Sequence, residues 1–256
     1  MRLPKPTWRR SLGVILVSAL IVVTSFVVWA NTTNPIMPQA EAALQSSTTV
    51  TVTRAEGYIS FVPTSGMPEV GIVLYPGGRV VAEAYAPLAR AIAEQGYLAA
   101  IVYAPLNLAF FGVGAADRVI ADFPDVSTWA VGGHSLGGVA AALYAQNNPS
   151  VRGLVIMASF PANDALRERS DLRVVSIYGT NDGLARPEDI RSSSKDLPQN
   201  ARFVPIEGGN HAQFGYYGEQ AGDNQATISH EEQTTQIVTA IVALLDDIAP
   251  AANESE

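Results

Sequence analysis

The 256-residue chain contains no cysteine, and this absence excludes several kinds of chemistry. Disulfide bonds, thiolate metal sites and a cysteine nucleophile all need a side chain that is missing. Histidine is also scarce, with three residues at His134, His211 and His230. Because their spacing forms no H-x-x-x-H or similar cluster, we expect neither a bound metal nor another cofactor.

Basic side chains are few, with 16 Lys and Arg against 24 Asp and Glu and a formal net charge of -8. A nucleic-acid surface needs clustered basic side chains to displace counterions from phosphates, so we expect no nucleic-acid partner. The hydrophobic share of 48% is enough to bury a sizeable core. The length and composition therefore predict one globular domain.

One long apolar stretch lies at the amino terminus, from Ser11 to Ala30. At about 1.5 Å per residue it reaches roughly 30 Å, enough to cross the hydrocarbon layer of a membrane. Signal-peptide apolar regions run about 7 to 15 residues, so the length favours a retained anchor, with Trp29 at the outer interface. Cleavage after this stretch, which would give a secreted protein, is the alternative. Four basic residues precede it and should stay in the cytoplasm while the rest is exported, namely Arg2, Lys5, Arg9 and Arg10.

The rest of the chain divides into three parts. Residues 31 to 47 are rich in Pro, Ala, Ser, Thr and Gln without periodicity, which predicts a linker. From 48 to 249, short β-branched runs alternate with segments of helical period, as in α/β domains. Residues 250 to 256 are expected to form a disordered tail.

The alternation predicts a mostly parallel eight-stranded sheet with helices on both faces. The predicted strands cover 49–54, 58–62, 70–75, 97–103, 128–132, 153–158, 173–178 and 202–206, and the clearest helices cover 81–95, 136–146, 187–195 and 231–247.

A candidate nucleophile lies in Gly133-His134-Ser135-Leu136-Gly137, between a predicted strand and a predicted helix. Small residues on both sides of Ser135 allow a tight strand-to-helix turn that projects the hydroxyl above the sheet. The amide of Leu136 begins the helix and could stabilise an oxyanion. A phosphate-binding loop is disfavoured because no lysine follows the glycines.

An alcohol needs a base to become a nucleophile at neutral pH, and histidine is the natural candidate. His211 follows the last predicted strand in a glycine-rich loop. His134 should point elsewhere on the turn, and His230 begins a helix beside two glutamates, which indicates a solvated position. The base needs a carboxylate partner: Asp182, in a turn after the seventh predicted strand, is preferred, and Asp164 is the competitor.

These motifs resemble the α/β-hydrolase superfamily over residues 57 to 249, and most closely its small, lid-poor branch of dienelactone hydrolase-like esterases. The order Ser135, Asp182, His211 is the order of the catalytic triad in that superfamily. The likeness of the segment from Tyr75 to Gly78 implies that the Gly78 amide is the second oxyanion donor, beside Leu136.

The resemblance implies a serine hydrolase that cleaves small-molecule carboxylic esters through an acyl-enzyme intermediate. Acyl transfer to an alcohol on the same site, and a non-catalytic binding protein of this fold, are the alternatives. Two stretches, 105–111 and 213–218, would either wall the substrate pocket or serve as packing. A full helical cap does not fit between the sixth and seventh predicted strands.

Overall fold

A computed structural model of the chain describes residues 8 to 250. The tail at 251–256, like Arg2 and Lys5, lies outside the described residues. Within them the helices are α1 (Trp8–Asn31), α2 (Pro38–Ala43), α3 (Ala86–Glu94), α4 (Ala116–Asp122), α5 (Leu136–Asn147), α6 (Pro187–Ser192) and α7 (His230–Ile248). The strands are β1 (Val50–Ala55), β2 (Tyr58–Pro63), β3 (Val70–Tyr75), β4 (Leu98–Val102), β5 (Thr128–His134), β6 (Val151–Met157), β7 (Arg173–Gly179) and β8 (Arg202–Ile206).

The strands form one eight-stranded sheet in the order β1-β2-β4-β3-β5-β6-β7-β8. Strands β3 to β8 run parallel, and β2 runs antiparallel to β1 and β4. Every residue of β3 is buried, because Ile72 and Leu74 pack in the core that includes α3 and α7, whereas Val73 and Tyr75 pack in the core that includes α4 and α5. The predicted α/β sheet with helices on both faces is confirmed.

The strand order places a crevice at the centre of the sheet. Strand β4 lies on one side of β3 and β5 on the other, so the connections that leave the carboxyl ends of β3 and β5 diverge. Open α/β sheets bind ligands at such a point. Residues 76–79, after β3, and the turn at Ser135, after β5, both lie there.

The segment predicted to be a linker contains helix α2, which packs against α3. Ala40 and Ala43 are buried, and Arg90 donates from Nη2 to the Ala43 carbonyl at 2.9 Å. The Met37 amide also donates to the Tyr216 carbonyl at 2.9 Å. The predicted linker therefore contains a packed helix, which the sequence pattern did not indicate because a helix of 6 residues is too short to show a period and its partners lie far away in sequence.

Helix α1 is long and apolar enough to cross a membrane. The stretch Ser11–Asn31 has a mean hydropathy of 2.6, and its residues are exposed apart from Ala30 near its end. A signal sequence near the amino terminus would have the same properties. Its last turn contacts the domain, where the Arg79 guanidinium lies 4.8 Å from the centre of the Trp29 ring.

The turn from β5 to α5 has no room for side chains at its glycines. A Cβ atom on Gly133 would lie 2.2 Å from the Gly137 carbonyl oxygen, and one on Gly137 would lie 2.1 Å from the Tyr75 carbonyl oxygen. The obstructing atoms belong to the backbone of β3 and of the turn itself. The close approach of strand, turn and helix therefore depends on glycine at both positions.

We expect Gly137→Ala to lower the free energy of unfolding by about 3 kcal/mol or more, because backbone atoms of β3 must move to admit the methyl group. Gly114→Ala is the matched control, since the nearest atom to a Cβ there is Asp117 Oδ2 at 3.5 Å. Thermal unfolding of the full chain in a non-ionic detergent measures both. Equal Tm values for the two variants would contradict the close approach at Gly137.

Candidate active site

Ser135 occupies a strained position between β5 and α5. Its φ and ψ are 51° and -122°, a left-handed φ that costs a non-glycine residue about 1 to 3 kcal/mol. Two contacts hold it there: the Ser135 amide donates to the Met157 carbonyl at 2.9 Å, and the Ser159 hydroxyl donates to the Ser135 carbonyl at 2.7 Å. Ser135 remains partly exposed, so its side chain is accessible to a small molecule.

His211 and Asp182 form a buried hydrogen-bonded pair. His211 Nδ1 lies 2.8 Å from Asp182 Oδ2, and the two side chains are 3% and 0% exposed. Asp182 Oδ1 accepts hydrogen bonds from the amides of Leu184 and Ala185 at 2.8 and 2.7 Å. Because an ionised carboxylate only accepts, Nδ1 carries the proton and Nε2 is left as the basic nitrogen.

The competing carboxylate, Asp164, lies elsewhere. It is exposed in the loop after β6, whereas the hydrogen bond of His211 goes to Asp182. Of the two alternatives left by the sequence, the structure therefore pairs the histidine with Asp182.

His134 packs against His211 next to the turn that contains Ser135. The two imidazole rings are 4.5 Å apart between centroids, and His134 directly precedes Ser135. On its other side the His134 ring stacks on Phe214 at 5.5 Å with an interplanar angle of 11°. His211, the turn at Ser135 and Phe214 in the loop after β8 therefore all lie around the buried His134 ring.

The His134 ring is neutral. The Gly77 amide donates to the Tyr85 hydroxyl at 2.9 Å, which leaves that hydroxyl to donate to His134 Nδ1 at 2.8 Å. An Nδ1 that accepts belongs to the neutral tautomer with its proton on Nε2. Burial lowers the pKa of His134 well below 6.5, and the neighbouring His211 lowers it further, with a smaller opposing effect from the His211 backbone.

Gln233 of α7 holds the backbone next to His211, a role that the sequence analysis missed. Its side chain is fully buried. Oε1 accepts from the Asn210 amide at 3.0 Å, and Nε2 donates to the Asn210 carbonyl at 2.9 Å. The sequence did indicate that Gln233 is buried, because this polar residue lies four residues before Ile237, on the apolar stripe of the helix.

Asp223 joins the loops that carry His211 and Asp182. Its Oδ2 accepts from the Ala212 amide at 2.8 Å, and its Oδ1 accepts from the Gly183 amide at 3.0 Å. These amides belong to the residues directly after His211 and Asp182. Asp223 lies in an irregular loop, where no periodicity marks a buried function, so the sequence analysis did not find it.

The predicted oxyanion donors lie next to each other. A Cβ on Gly78 would be 3.3 Å from Leu136 Cδ2, so the two loops touch at these residues. The Gly77 amide is bonded to Tyr85, and the Arg79 amide donates to the Asn107 carbonyl at 2.7 Å. Within the described chain the Gly78 amide has no such partner, which leaves it available to a ligand.

The two stretches that were expected to wall the substrate pocket or serve as packing, 105–111 and 213–218, differ in how far they are buried. In 213–218, the side chains of Phe214, Tyr216 and Tyr217 are buried, so this stretch serves as packing. In 105–111, Leu108 is buried near Gly78, whereas Phe110 and Phe111 are exposed.

The solvated position expected for His230 is wrong. The stretch 213–218 folds back over the start of α7, and the Tyr216 ring stacks on His230 at 3.9 Å between centroids. Burial consequently lowers the pKa of His230 from 6.5.

A family model described as "Alpha/beta hydrolase family" matches residues 71–235, more than half of the chain. The chain belongs to the α/β-hydrolase family. The match spans Ser135, Asp182 and His211 and indicates that this α/β hydrolase is an enzyme of the hydrolase class. The match is to the family as a whole, so the likeness to dienelactone hydrolase-like esterases stays a prediction. A comparison with curated proteins finds no match.

We expect the free energy of unfolding to fall as the pH decreases below about 6.5, because the unfolded chain binds protons that the buried, neutral His134 does not. His230, whose pKa is also lowered by burial, contributes with the same sign. His134→Phe should reduce the pH dependence by up to about 1.4 kcal/mol per pH unit. Urea unfolding at pH 5.5 and 7.5 gives the slopes, and an unchanged slope in the variant would contradict a neutral His134.

Proposed function

We propose that this α/β hydrolase is a carboxylic ester hydrolase, with Ser135 as nucleophile, His211 as general base and Asp182 as the residue that orients the base. One observation carries the proposal: the buried His211–Asp182 pair, with its hydrogen bond of 2.8 Å, packs on the ring of the residue before Ser135. A base fixed by a carboxylate beside an alcohol on a strained turn fits nucleophilic acyl chemistry.

In the proposed reaction, His211 Nε2 accepts the proton of the Ser135 hydroxyl as Oγ attacks the ester carbonyl carbon. The carbonyl oxygen becomes an oxyanion, which the amides of Leu136 and Gly78 stabilise by hydrogen bonds. Collapse of this intermediate breaks the bond to the alcohol, which leaves with the proton from His211. Water, deprotonated by His211, then attacks the acyl-enzyme, and the acid leaves as Ser135 regains its proton.

The neutral state of His134 supports this assignment. During both steps His211 becomes an imidazolium, and its ring lies 4.5 Å from that of His134. A second positive charge at this distance would oppose protonation of the base. Because the pKa of His134 lies well below 6.5, its ring is uncharged at neutral pH and does not do so.

Hydrolysis is favoured over the two alternatives. Ser135 is partly exposed, so water can reach an acyl group bound to it, which favours hydrolysis over acyl transfer to an alcohol. The hydrogen bonds around Asp182 fix the carboxylate on His211, an arrangement that a non-catalytic binding protein would not need.

We also propose that α1 is a retained membrane anchor, with its basic flank in the cytoplasm and the catalytic domain on the other side. Its apolar stretch of 21 residues exceeds the apolar region of a typical signal peptide, about 7 to 15 residues. If α1 is cleaved instead, the catalytic domain is secreted.

Ser135→Ala should abolish hydrolysis of p-nitrophenyl butyrate, a fall of at least about 10³-fold, because no other group replaces the nucleophile. Labelling by a fluorophosphonate probe should disappear as well. Ser127→Ala is the matched control, since Ser127 is exposed at the opposite end of β5. Retained labelling in Ser135→Ala would remove the nucleophile assignment.

Asp182→Asn should lower kcat for the same ester by about 10³- to 10⁴-fold, because the amide cannot stabilise the imidazolium and permits the wrong tautomer. Asp164→Asn serves as control, with kcat expected to stay within about twofold, since surface substitutions have small effects. Steady-state kinetics at pH 7.5 distinguish the two. A larger loss in Asp164→Asn would transfer the role to that residue.

A further inference from the structure

We infer that the catalytic edge of the sheet lies against the surface of the bilayer that α1 crosses, and that the ester substrate is a lipophilic molecule reached from that bilayer. The inference rests on the proposed function, both for the ester chemistry and for the anchor. It is carried by the contact between α1 and the loops of the site, and by the distribution of exposed apolar side chains.

The end of α1 is in contact with the loops that border Ser135. Asn107 donates from Nδ2 to the Ala30 carbonyl at 3.4 Å, and Arg79 donates from Nη2 to the Thr32 carbonyl at 2.6 Å. Arg79 directly follows Gly78, the proposed oxyanion donor. The membrane helix therefore ends at the rim of the site.

The contact of Arg79 with Trp29 indicates where the loop of Gly78 lies relative to the lipid headgroups. Tryptophan at the end of a transmembrane helix lies at the level of the lipid headgroups. The Arg79 guanidinium covers the Trp29 ring at 4.8 Å, so it lies at the same level. A guanidinium at this depth can pair with lipid phosphates, and Gly78, which precedes Arg79 in the chain, is then close to the headgroups.

Exposed apolar side chains concentrate at the same edge. Outside α1, the part of the chain that the structure describes exposes five large apolar side chains: Met67 at 47%, Phe110 at 46%, Phe111 at 49%, Phe160 at 43% and Leu184 at 41%. The last four follow the carboxyl ends of β4, β6 and β7, whereas Met67 lies before β3 at the opposite edge. An edge that carries four of the five exposed large apolar side chains suits contact with a membrane or a partner.

The loop after β4 also has no charge. Residues 103–116 contain no Asp, Glu, Lys, Arg or His, although the chain as a whole carries a net charge of -8. Burying charged side chains at a membrane surface is costly, so an uncharged loop next to the anchor suits insertion of Phe110 and Phe111 among the headgroups. Because this loop is in contact with the end of α1, the bilayer covers its exposed side chains, and a second copy of the chain does not.

The absence of cysteine from the sequence permits a direct test of depth, because each single-cysteine variant takes one label. Phe111→Cys, Phe160→Cys and Met67→Cys are labelled with bimane in the full chain, in nanodiscs that contain lipids with a nitroxide near the headgroup. We expect at least threefold stronger quenching at 111 and 160 than at 67. Met67 is the matched control because its exposure is nearly the same as that of Phe111.

Equal quenching at 111 and 67 would overturn the inference. Blue-shifted emission at 111 without nitroxide quenching would also overturn it, since a second copy of the chain would then cover the edge. Loss of α1 from the mature chain, measured as the intact mass of the protein recovered from both the membrane and the medium, is a third contradicting result. These measurements need no activity, so their failure is distinct from retained hydrolysis in Ser135→Ala, which would instead remove the proposed function.

A second measurement tests the substrate class. The double variant Phe110→Ser, Phe111→Ser should lower the rate on a long-chain fluorogenic ester dissolved in the nanodisc, relative to the rate on soluble p-nitrophenyl butyrate, by at least fivefold. The double variant Phe110→Leu, Phe111→Leu should restore the ratio, because it keeps the apolar surface. An unchanged ratio in the serine variant would contradict delivery of the substrate from the bilayer.

Discussion

The strained backbone at Ser135 is the constraint on which the site depends. Its φ of 51° is held by contacts to the end of β6 and by the absence of side chains at Gly133 and Gly137. A larger residue at either glycine would meet backbone oxygen, and the strand and helix would separate. The strain is therefore maintained by close packing of main-chain atoms, and it places one hydroxyl at the crevice between the connections after β3 and β5.

Around this turn, the polar groups that hold the loop of His211 are paired, with Gln233 fully buried and Asp223 partly buried. Gln233 bonds both backbone groups of Asn210, and Asp223 joins the amides that follow His211 and Asp182. Burying such groups is favourable only when their hydrogen bonds are made, so the loop after β8 has few alternative conformations. The same burial keeps His134, whose ring packs on His211, neutral.

The local patterns were sufficient for the fold and for the candidate residues at strand ends. Strands β3 and β8 have the predicted bounds, and His211 pairs with Asp182, which was preferred over Asp164 because of its place after β7. Features that depend on contacts between distant segments were missed. Helix α2 is too short to show a period and packs on α3, and His230 is covered by Tyr216, to which no pattern linked it. Sequence periodicity reports the buried face of an element, but it does not report which loop covers it.

The contacts after α1 also determine how the domain can be oriented. Residues 32 to 43 do not separate the helix from the domain as a flexible linker would, because Thr32 bonds to Arg79, Met37 bonds to Tyr216, and α2 packs on α3. A domain held at several points directly after the helix cannot rotate freely about it. Arg79 contacts Trp29 through its side chain and Asn107 through its amide, so the end of the helix and the loop of Gly78 form one unit. If α1 is the membrane anchor that we propose, these contacts make the orientation of the site toward the bilayer part of the folded structure.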